Sequence, residues 1–504
     1  MAAPFNWTEV VQPNYLYLLP EFTVVAVMLI VMCVDFYVKE KRWLVWSVVA
    51  GLFLALVFTW YTATDPNIYD PKAMRVNEYF GQMVVADGFS FFMKAVILGI
   101  AGLITLLSMD YVEKFLKGMY LEFFEVLLAA TLGMMFMVTS RDMITIYIGL
   151  ELTSICSYVL AGLLRKDPKS NEAALKYFLN GALASAVLLF GLSLIYGATG
   201  TTYLPAIMKG VTEQVGNPGM LSLLVAGVIF LAGGFAFKIA AVPMHLWAPD
   251  AYEGAPTPVT GFFSVGPKGA AFAAILRIFL VGLGVSPLAG KWSLIWAVLA
   301  TASMFVGNIT ALMQTNIKRM MAYSSIAQAG YILVGVVAAG GDLNSGKGVA
   351  GVLFYAMAYA LTNLGIFAVL THMDQEGGWV TVEDFRGLFS RNPFYAVTLL
   401  ICFVSLIGIP PTAGFMGKFF LFRAAVDAGY LWLALVMAVN SVISVGYYYG
   451  VVKAMFLEPS DKQSLPVSGG VMTTVVLSFV GVLAAGIVAG PIIDYVEAAA
   501  RLLR

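Results

Sequence analysis

The stretch GGFAFKIAAVPMHLWAPDAYEGAPTPVTGFFSVGPKGA, residues 233–270, decides how this chain must fold. Lys238 stands in an apolar run long enough to cross a bilayer, and Pro243 follows five residues later. A proline inside a helix removes a backbone donor and breaks the ladder. An ammonium at membrane depth costs at least about 2.5–3.5 kcal/mol on insertion scales. Because a broken helix there needs neighbouring protein or a water-filled cavity, the stretch predicts a polar path inside a membrane protein. A lysine that reaches the headgroups is the alternative for Lys238 alone.

The composition places most of the chain in lipid. Of 504 residues, 60% are hydrophobic and only 12% are charged, against roughly 25% charged in soluble domains. The 29 basic and 29 acidic residues balance, so nothing indicates nucleic-acid binding. The three cysteines are isolated within apolar runs, and no dinucleotide-binding, P-loop or HExxH motif occurs. We therefore expect no soluble catalytic domain and no metal or cofactor site in this chain.

At about 20 apolar residues per crossing, the chain predicts an all-α, polytopic membrane protein of about fourteen transmembrane helices. The soluble segments between them are too short to form a domain. The expected spans are 15–37, 43–63, 86–108, 119–139, 143–164, 171–197, 219–246, 257–284, 290–314, 320–340, 348–373, 394–428, 430–457 and 467–495.

A second broken span, SLIGIPPTAGFMGKFFLFRAA at 405–425, carries Lys418 and lies five spans after the first. SYVLAG at 157–162 and GYILVG at 330–335 also recur five spans apart. Five is odd, so the matching units cross the membrane in opposite directions, which is typical of inverted repeats around a transport site. Coincidence among apolar helices is the alternative.

The sequence thus predicts two inverted five-helix repeats, spans 4–8 and 9–13, with breaks in spans 7 and 12. In a single membrane domain, 1–504, this division gives an N-terminal unit of three spans, the two repeats and a C-terminal span. Their expected bounds are 1–118, 119–284, 290–457 and 458–504.

Ionisable residues inside the spans are the candidate functional groups. Glu151 lies in the middle of span 5, where a lone carboxylate must pair or take up a proton. Lys268 lies deep in span 8, and Lys176 near the start of span 6, where a surface position explains it equally well. His245, beside the first break, could bridge Lys238 and Lys268 through water.

Two further charges receive other interpretations. Arg277, nine residues beyond Lys268, could serve the far end of the path. Lys94 stands near the end of a span and is interpreted as an anchor at the membrane interface.

Orientation follows from the lysines and arginines of alternate loops, which are more numerous on one side. The bias predicts a multi-pass protein of the cell (inner) membrane with both termini outside. An organellar inner membrane or a thylakoid membrane is the less favoured alternative.

At these residues the chain resembles the antiporter-like membrane subunits of respiratory complex I. The resemblance rests on ALKYFLNGALASAVLLFGLSLIYGATGTT, the 233–270 stretch, NIKRMMAYSSIAQAGYILVG, VEDFRGL and LIGIPPTAGFMGKF. The APDAYEGAPTPV turn and Lys418 are typical of one of the three sister subunits.

The resemblance implies proton translocation in a redox-driven NADH–quinone oxidoreductase. It implies that Glu151 and Lys238 form a pair, Lys268 is the central lysine and Lys418 the exit-side lysine, while the role of Lys176 is less certain. NADH, FMN, iron–sulfur clusters and quinone are then expected in partner subunits. The expected partners are other membrane and peripheral subunits, especially the sister antiporter-like chains, together with lipid.

Two alternatives remain open. A subunit of a multi-subunit cation/proton antiporter has the same fold, and flavin and iron–sulfur subunits in its complex would distinguish the two. In a purely structural scaffold, the buried lysines would only fix helix packing.

Overall fold

A computed structural model describes residues 15–66, 68–69, 77–116, 118–286, 288–374, 380–460, 468–501 and 503. Five of the basic residues used for the orientation prediction lie outside the described residues: Lys72, Arg75, Lys117, Lys462 and Arg504.

Apolar runs of membrane length form helices throughout the described chain, which confirms the predicted fold class. Among the described residues, thirteen helices are long and apolar enough to cross a membrane. A further crossing consists of two shorter helices, Pro393–Ile407 and Ala413–Asp427. In chain order, the fourteen spans are Tyr15–Tyr37, Arg42–Thr64, Gly88–Phe115, Tyr120–Thr139, Met143–Ala161, Pro168–Thr199, Pro218–Lys238, Thr257–Gly282, Leu288–Ala311, Ile317–Gly341, Lys347–Asp374, the divided span 12, Leu431–Leu457 and Gly469–Ile487.

The connections contain structure that the apolar pattern does not reveal. Strands β1 (Asn77–Tyr79) and β2 (Val84–Ala86) form an antiparallel hairpin between spans 2 and 3. Short helices occupy Leu204–Gln214, Trp247–Gly254 and Leu388–Arg391, with a 3₁₀ turn at Val382–Phe385.

The expected last span, 467–495, is too long. Span 14 ends at Ile487, and a separate helix, Gly490–Arg501, packs against spans 3 and 11. This helix places polar residues such as Asp494 and Glu497 among apolar ones, so it does not continue the membrane-spanning pattern.

Both predicted breaks are present. Span 7 ends at Lys238, and residues 239–246 form turns before the helix that begins at Trp247. In span 12 the helix ends at Ile407, and the next helix begins at Ala413 after Pro410 and Pro411. Each break leaves backbone carbonyls without helical partners at membrane depth, where a cation can be held.

Spans 8, 10 and 11 form the interior of the protein, because they are enclosed over most of their length. The outer spans are apolar on both sides and expose large side chains such as Phe36, Trp60 and Leu183. Spans 8 and 10 therefore hold polar side chains away from lipid, as the contact between Lys268 and Ser325 shows.

Candidate functional site

Glu151 and Lys238 come together from spans 5 and 7. Lys238 Nζ lies 3.6 Å from Glu151 Oε1. The ammonium donates to the Ser154 hydroxyl at 2.7 Å and to the Ser185 hydroxyl at 3.2 Å, and Ser185 donates to Glu151 at 2.5 Å. Lys238 is the last residue of its helix, where the helix dipole favours a cation. The two charges thus lie close enough to stabilise each other, with a hydroxyl group between them.

Lys268 is buried in span 8 without a carboxylate partner among the described residues. Its ammonium donates to the hydroxyl and, at 3.3 Å, to the carbonyl of Ser325 on span 10. The same hydroxyl lies 3.1 Å from the phenol oxygen of Tyr252. Among the described residues, neutral groups alone bind this ammonium, whereas Lys238 lies beside a carboxylate.

Lys418 lies in the second half of span 12 and points back to the break. Its ammonium donates to the Ile407 carbonyl, at the end of the first half-helix, at 3.1 Å and to the Ser441 hydroxyl at 3.0 Å. It also lies 4.1 Å from the centre of the Tyr331 ring. Gly408 has a φ of +91°, and a Cβ there would meet the Lys418 chain at 2.9 Å. Glycine is therefore required for the lysine to reach the freed carbonyl.

Span 10 connects Lys268 with Lys418 through a row of polar side chains. Ser324, Gln328 and Tyr331 are spaced by four and three residues, so they share one side of the helix, and Ser325 lies one turn from Gln328. Ser325 holds Lys268, and Tyr331 lies beneath Lys418. Asn308 donates to Tyr331 at 3.0 Å, and Tyr355 donates to Gln328. The row supplies hydroxyl and amide groups at successive turns between the two lysines.

This row was not predicted from the sequence, and neither were Ser154 and Ser185 beside the first pair. The signal was present, because a serine pair followed by glutamine and tyrosine at helical spacing is unusual in an enclosed membrane helix. Aligning SYVLAG with GYILVG sets Tyr158 opposite Tyr331 and Ser324 at the position of Glu151 (331 − 158 = 324 − 151). The second repeat therefore has a hydroxyl where the first has its carboxylate.

Lys176 lies at the protein surface rather than in the interior. Its half-exposed ammonium is 2.6 Å from Glu172 and 2.7 Å from Asp250. Arg319 joins Asp250 at 2.8 Å and Glu253 at 2.7 Å. Burial alone would raise the pKa of Asp250, but hydrogen bonds from Lys176 and Arg319 lower it overall. This ion-pair network makes no contact with Lys238, Lys268 or Lys418 among the described residues, and a role for Lys176 in translocation stays a prediction.

His245 is mostly buried within the turns after span 7, between exposed Met244 and Leu246. Neither Lys238 nor Lys268 donates a hydrogen bond to it among the described residues. The bridge through water stays a prediction.

The interpretation of Lys94 as an interface anchor is wrong, and a role for Arg277 at the far end of the path stays a prediction. Arg277 is fully buried and binds Asp87 through two bonds of 2.9 Å, and its Nε donates to the Val138 carbonyl at 2.8 Å. Such a two-pronged pair fixes helices in place. Lys94 is also fully buried, 2.7 Å from Glu21 of span 1, so it is no interface anchor. Each of these residues is buried because it pairs with a carboxylate from another part of the chain, whatever its position along its own helix.

Within the described ranges, no group of three or more His, Cys, Asp or Glu side chains could hold a metal ion. The candidate site itself consists of lysine, carboxylate, hydroxyl and amide groups. Such groups bind and transfer protons.

Two broken helices in corresponding positions of a membrane fold are typical of transporters, and here each break lies beside a buried lysine. The family model described as "NADH:quinone oxidoreductase/Mrp antiporter, TM" matches residues 140–444, more than half of the chain. A chain named NADH-quinone oxidoreductase subunit N 2, from Symbiobacterium thermophilum, is 64% identical over 100% of both chains. A chain named NADH-quinone oxidoreductase subunit N, from Heliobacterium modesticaldum, is 44% identical over 84% of this chain and 87% of its own length. This protein therefore belongs to the NADH:quinone oxidoreductase/Mrp antiporter family, and the resemblance to its complex I branch is confirmed.

Solved structures agree with this assignment. A chain of respiratory complex I from Thermus thermophilus with bound aureothin superposes with a TM-score of 0.78 at 31% identity, covering 94% of this chain and 99% of that chain. A chain of the Mrp complex from Dietzia sp. DQ12-45-1b gives a TM-score of 0.80 at 22% identity, covering 97% of both. The second likeness is one of fold alone.

Proposed function

We propose that this chain is the proton-translocating membrane subunit of an NADH–quinone oxidoreductase, a translocase in which other subunits carry electrons to quinone. One observation carries the proposal. Three buried lysines, Lys238, Lys268 and Lys418, lie in consecutive parts of one interior, and polar side chains of span 10 connect the last two. The names of the relatives support the same conclusion.

The arrangement suits proton transfer because each lysine has a neutral acceptor nearby. An ammonium gives its proton to a hydroxyl or an intervening water, and the neutral amine takes the next proton. In a low-dielectric interior, charges interact over longer distances than in water. A change in the charge of one lysine therefore alters the proton affinity of the next.

Glu151 and Lys238 are the two-state element of this path. While both are charged they stabilise each other, and the pair titrates as a unit. Protonation of Glu151, or movement of the Lys238 proton towards Lys268, breaks the pair. A redox event elsewhere can drive translocation if it biases this equilibrium.

The exposure of Glu151 supports assembly with other subunits. Its side chain is about a quarter exposed, on a side of span 5 that also exposes Ile148, Ile155 and Val159. Lipid cannot satisfy a carboxylate at this depth, so a neighbouring protein must cover this face. We assign it to another membrane subunit of the complex, a sister antiporter-like chain being one candidate, with lipid around the remaining apolar faces. NADH, FMN, iron–sulfur clusters and quinone belong to the partner subunits.

The proposed location is the bacterial cell membrane, with both termini outside. The relatives are bacterial chains, and the basic residues of the loops support the orientation. We also propose the four units 1–118, 119–284, 290–457 and 458–504, with the breaks as the pivots of the two repeats.

A cation/proton antiporter subunit is the second candidate, because the family description includes Mrp antiporters. The relative at 64% identity over the whole chain favours the oxidoreductase. Purification of the native complex tests the choice. Flavin and iron–sulfur subunits are expected with this chain, and their absence from an intact complex would favour the antiporter.

The proposal is tested by proton pumping in inverted vesicles that contain the whole complex. Lys268→Met and Lys418→Ala are expected to reduce protons pumped per electron while the complex assembles. Lys453→Met, at an exposed lysine of span 13, is the control. If all three variants pump like the unchanged protein, the lysines are structural and the proposal fails.

A further inference from the structure

A cavity of about 400 Å³ opens where spans 3, 6, 10 and 11 reach the same side of the membrane. Its walls include Tyr111 and Leu164 together with the turn Glu253–Ala255 before span 8. A space of this size holds several water molecules. We call it the inner vestibule, since the proposed orientation places these ends on the inner side.

Three carboxylates and one lysine line the inner vestibule. Glu253 pairs with Lys169 at 3.1 Å and with Arg319 at 2.7 Å, and Asp374 accepts a hydrogen bond of 2.5 Å from Thr257. Asp167, which caps span 6, is the third carboxylate. Carboxylates around confined water attract protons and raise their local concentration.

Lys318 is buried in the wall of the inner vestibule. Its ammonium donates to the Ala255 carbonyl at 2.7 Å and has no salt-bridge partner among the described residues. The carboxylates thus surround the lysine without neutralising it by direct contact. A buried lysine held by one neutral carbonyl resembles Lys268 and Lys418 more than the ion-paired surface lysines.

Lys318 also lies on the same helix as Ser325, the residue that binds Lys268. Ser325, which holds Lys268, is seven residues further along span 10. Seven residues are about two turns, so the two side chains share one side of the helix about 10 Å apart. A short file of water molecules spans such a distance.

We propose that the inner vestibule is the entrance through which protons reach Lys268, and that Lys318, in its wall, relays them. The Lys318 ammonium releases one proton inwards, to water leading to Ser325 and Lys268. The neutral amine then takes one proton from a hydronium ion or a protonated carboxyl group of the vestibule, so one proton is gained for each one passed on. This inference rests on the proposed function and adds the route of uptake.

Substitution of Lys318 in the whole complex, with pumping measured in inverted vesicles, is the test. Lys318→Arg keeps the charge and the donor to Ala255, but arginine does not release its proton in proteins. We expect Lys318→Arg and Lys318→Met to reduce pumping at least tenfold alike, with Lys453→Met unaffected. If the lysine were structural, arginine would restore pumping, and that result would overturn the proposal.

A second variant keeps the test decisive if both Lys318 variants fail to assemble. Asp374→Asn is expected to slow pumping at least twofold, and imidazole, a small proton carrier that fits the vestibule, is expected to restore part of the rate. A normal rate, or a loss that imidazole does not change, counts against the vestibule. Lys268→Met separates the two proposals. If Lys268→Met loses pumping while the Lys318 variants pump normally, only the uptake route is refuted.

Discussion

Glu151 and Lys238 are joined by a single hydroxyl group, that of Ser185, which donates to the carboxylate at 2.5 Å and accepts from the ammonium at 3.2 Å. The direct distance between the two charges is 3.6 Å, longer than a good hydrogen bond. Ser185 therefore both positions the pair and offers a route for a proton between its members. Because it comes from span 6, it also fixes spans 5 and 7 relative to each other.

Removal of this hydroxyl is expected to slow pumping without preventing assembly. In Ser185→Ala the pair loses two hydrogen bonds to charged groups, each worth about 1.5–3 kcal/mol at most. Since water can replace part of this, we expect a reduction of about two- to tenfold in pumping by inverted vesicles. Ser193→Ala, on the exposed side of the same span, is the control. An unchanged rate in Ser185→Ala would show that the hydroxyl has no part in the transfer.

The pair Asp87–Arg277 is expected to stabilise the fold. Asp87→Asn leaves the buried guanidinium without its counter-charge, and breaking a buried pair in this way costs about 3–5 kcal/mol. The thermal stability of the purified complex and the amount of chain in the membrane should both fall. The matched control is Asp35→Asn, whose partly exposed pair with Lys41 is worth about 0–1 kcal/mol. Equal stability of the two variants would contradict the structural role.

The fold was predictable because its signals are local. Each span is an apolar run of bilayer length, and prolines next to Lys238 and Lys418 mark the breaks. The β-hairpin was missed because its strands are only three residues long and carry no alternating apolar pattern.

The site was predictable only in part. Charged residues within apolar spans, such as Glu151 and Lys268, can be recognised in the sequence because a charge in lipid is costly. The partners of such residues cannot be recognised in this way. Glu21 contacts Lys94 and Asp87 contacts Arg277 across long stretches of chain that no spacing rule relates. The polar side of span 10 is the exception, since its helical spacing is visible in the sequence.

The orientation of the spans is tested by cysteine labelling in a Cys33→Ser background, because Cys33 is the exposed native cysteine. Lys166→Cys, between spans 5 and 6, is expected to react with an impermeant maleimide only in inverted vesicles. Lys209→Cys, between spans 6 and 7, is expected to react only from outside. Labelling of Lys166→Cys in intact cells would invert the assignment.

The central claim is that Glu151 and Lys238 act as one proton-transferring unit, and a double-mutant cycle on proton pumping tests it most directly. Glu151→Gln and Lys238→Met should each reduce pumping strongly, because each leaves the charge of its partner uncompensated within the membrane. The double variant should be less impaired than the product of the two single effects, since it leaves neither charge behind. Assembly is checked on native gels. Strictly multiplicative losses in fully assembled complexes would show that the two residues act independently, and would contradict the account.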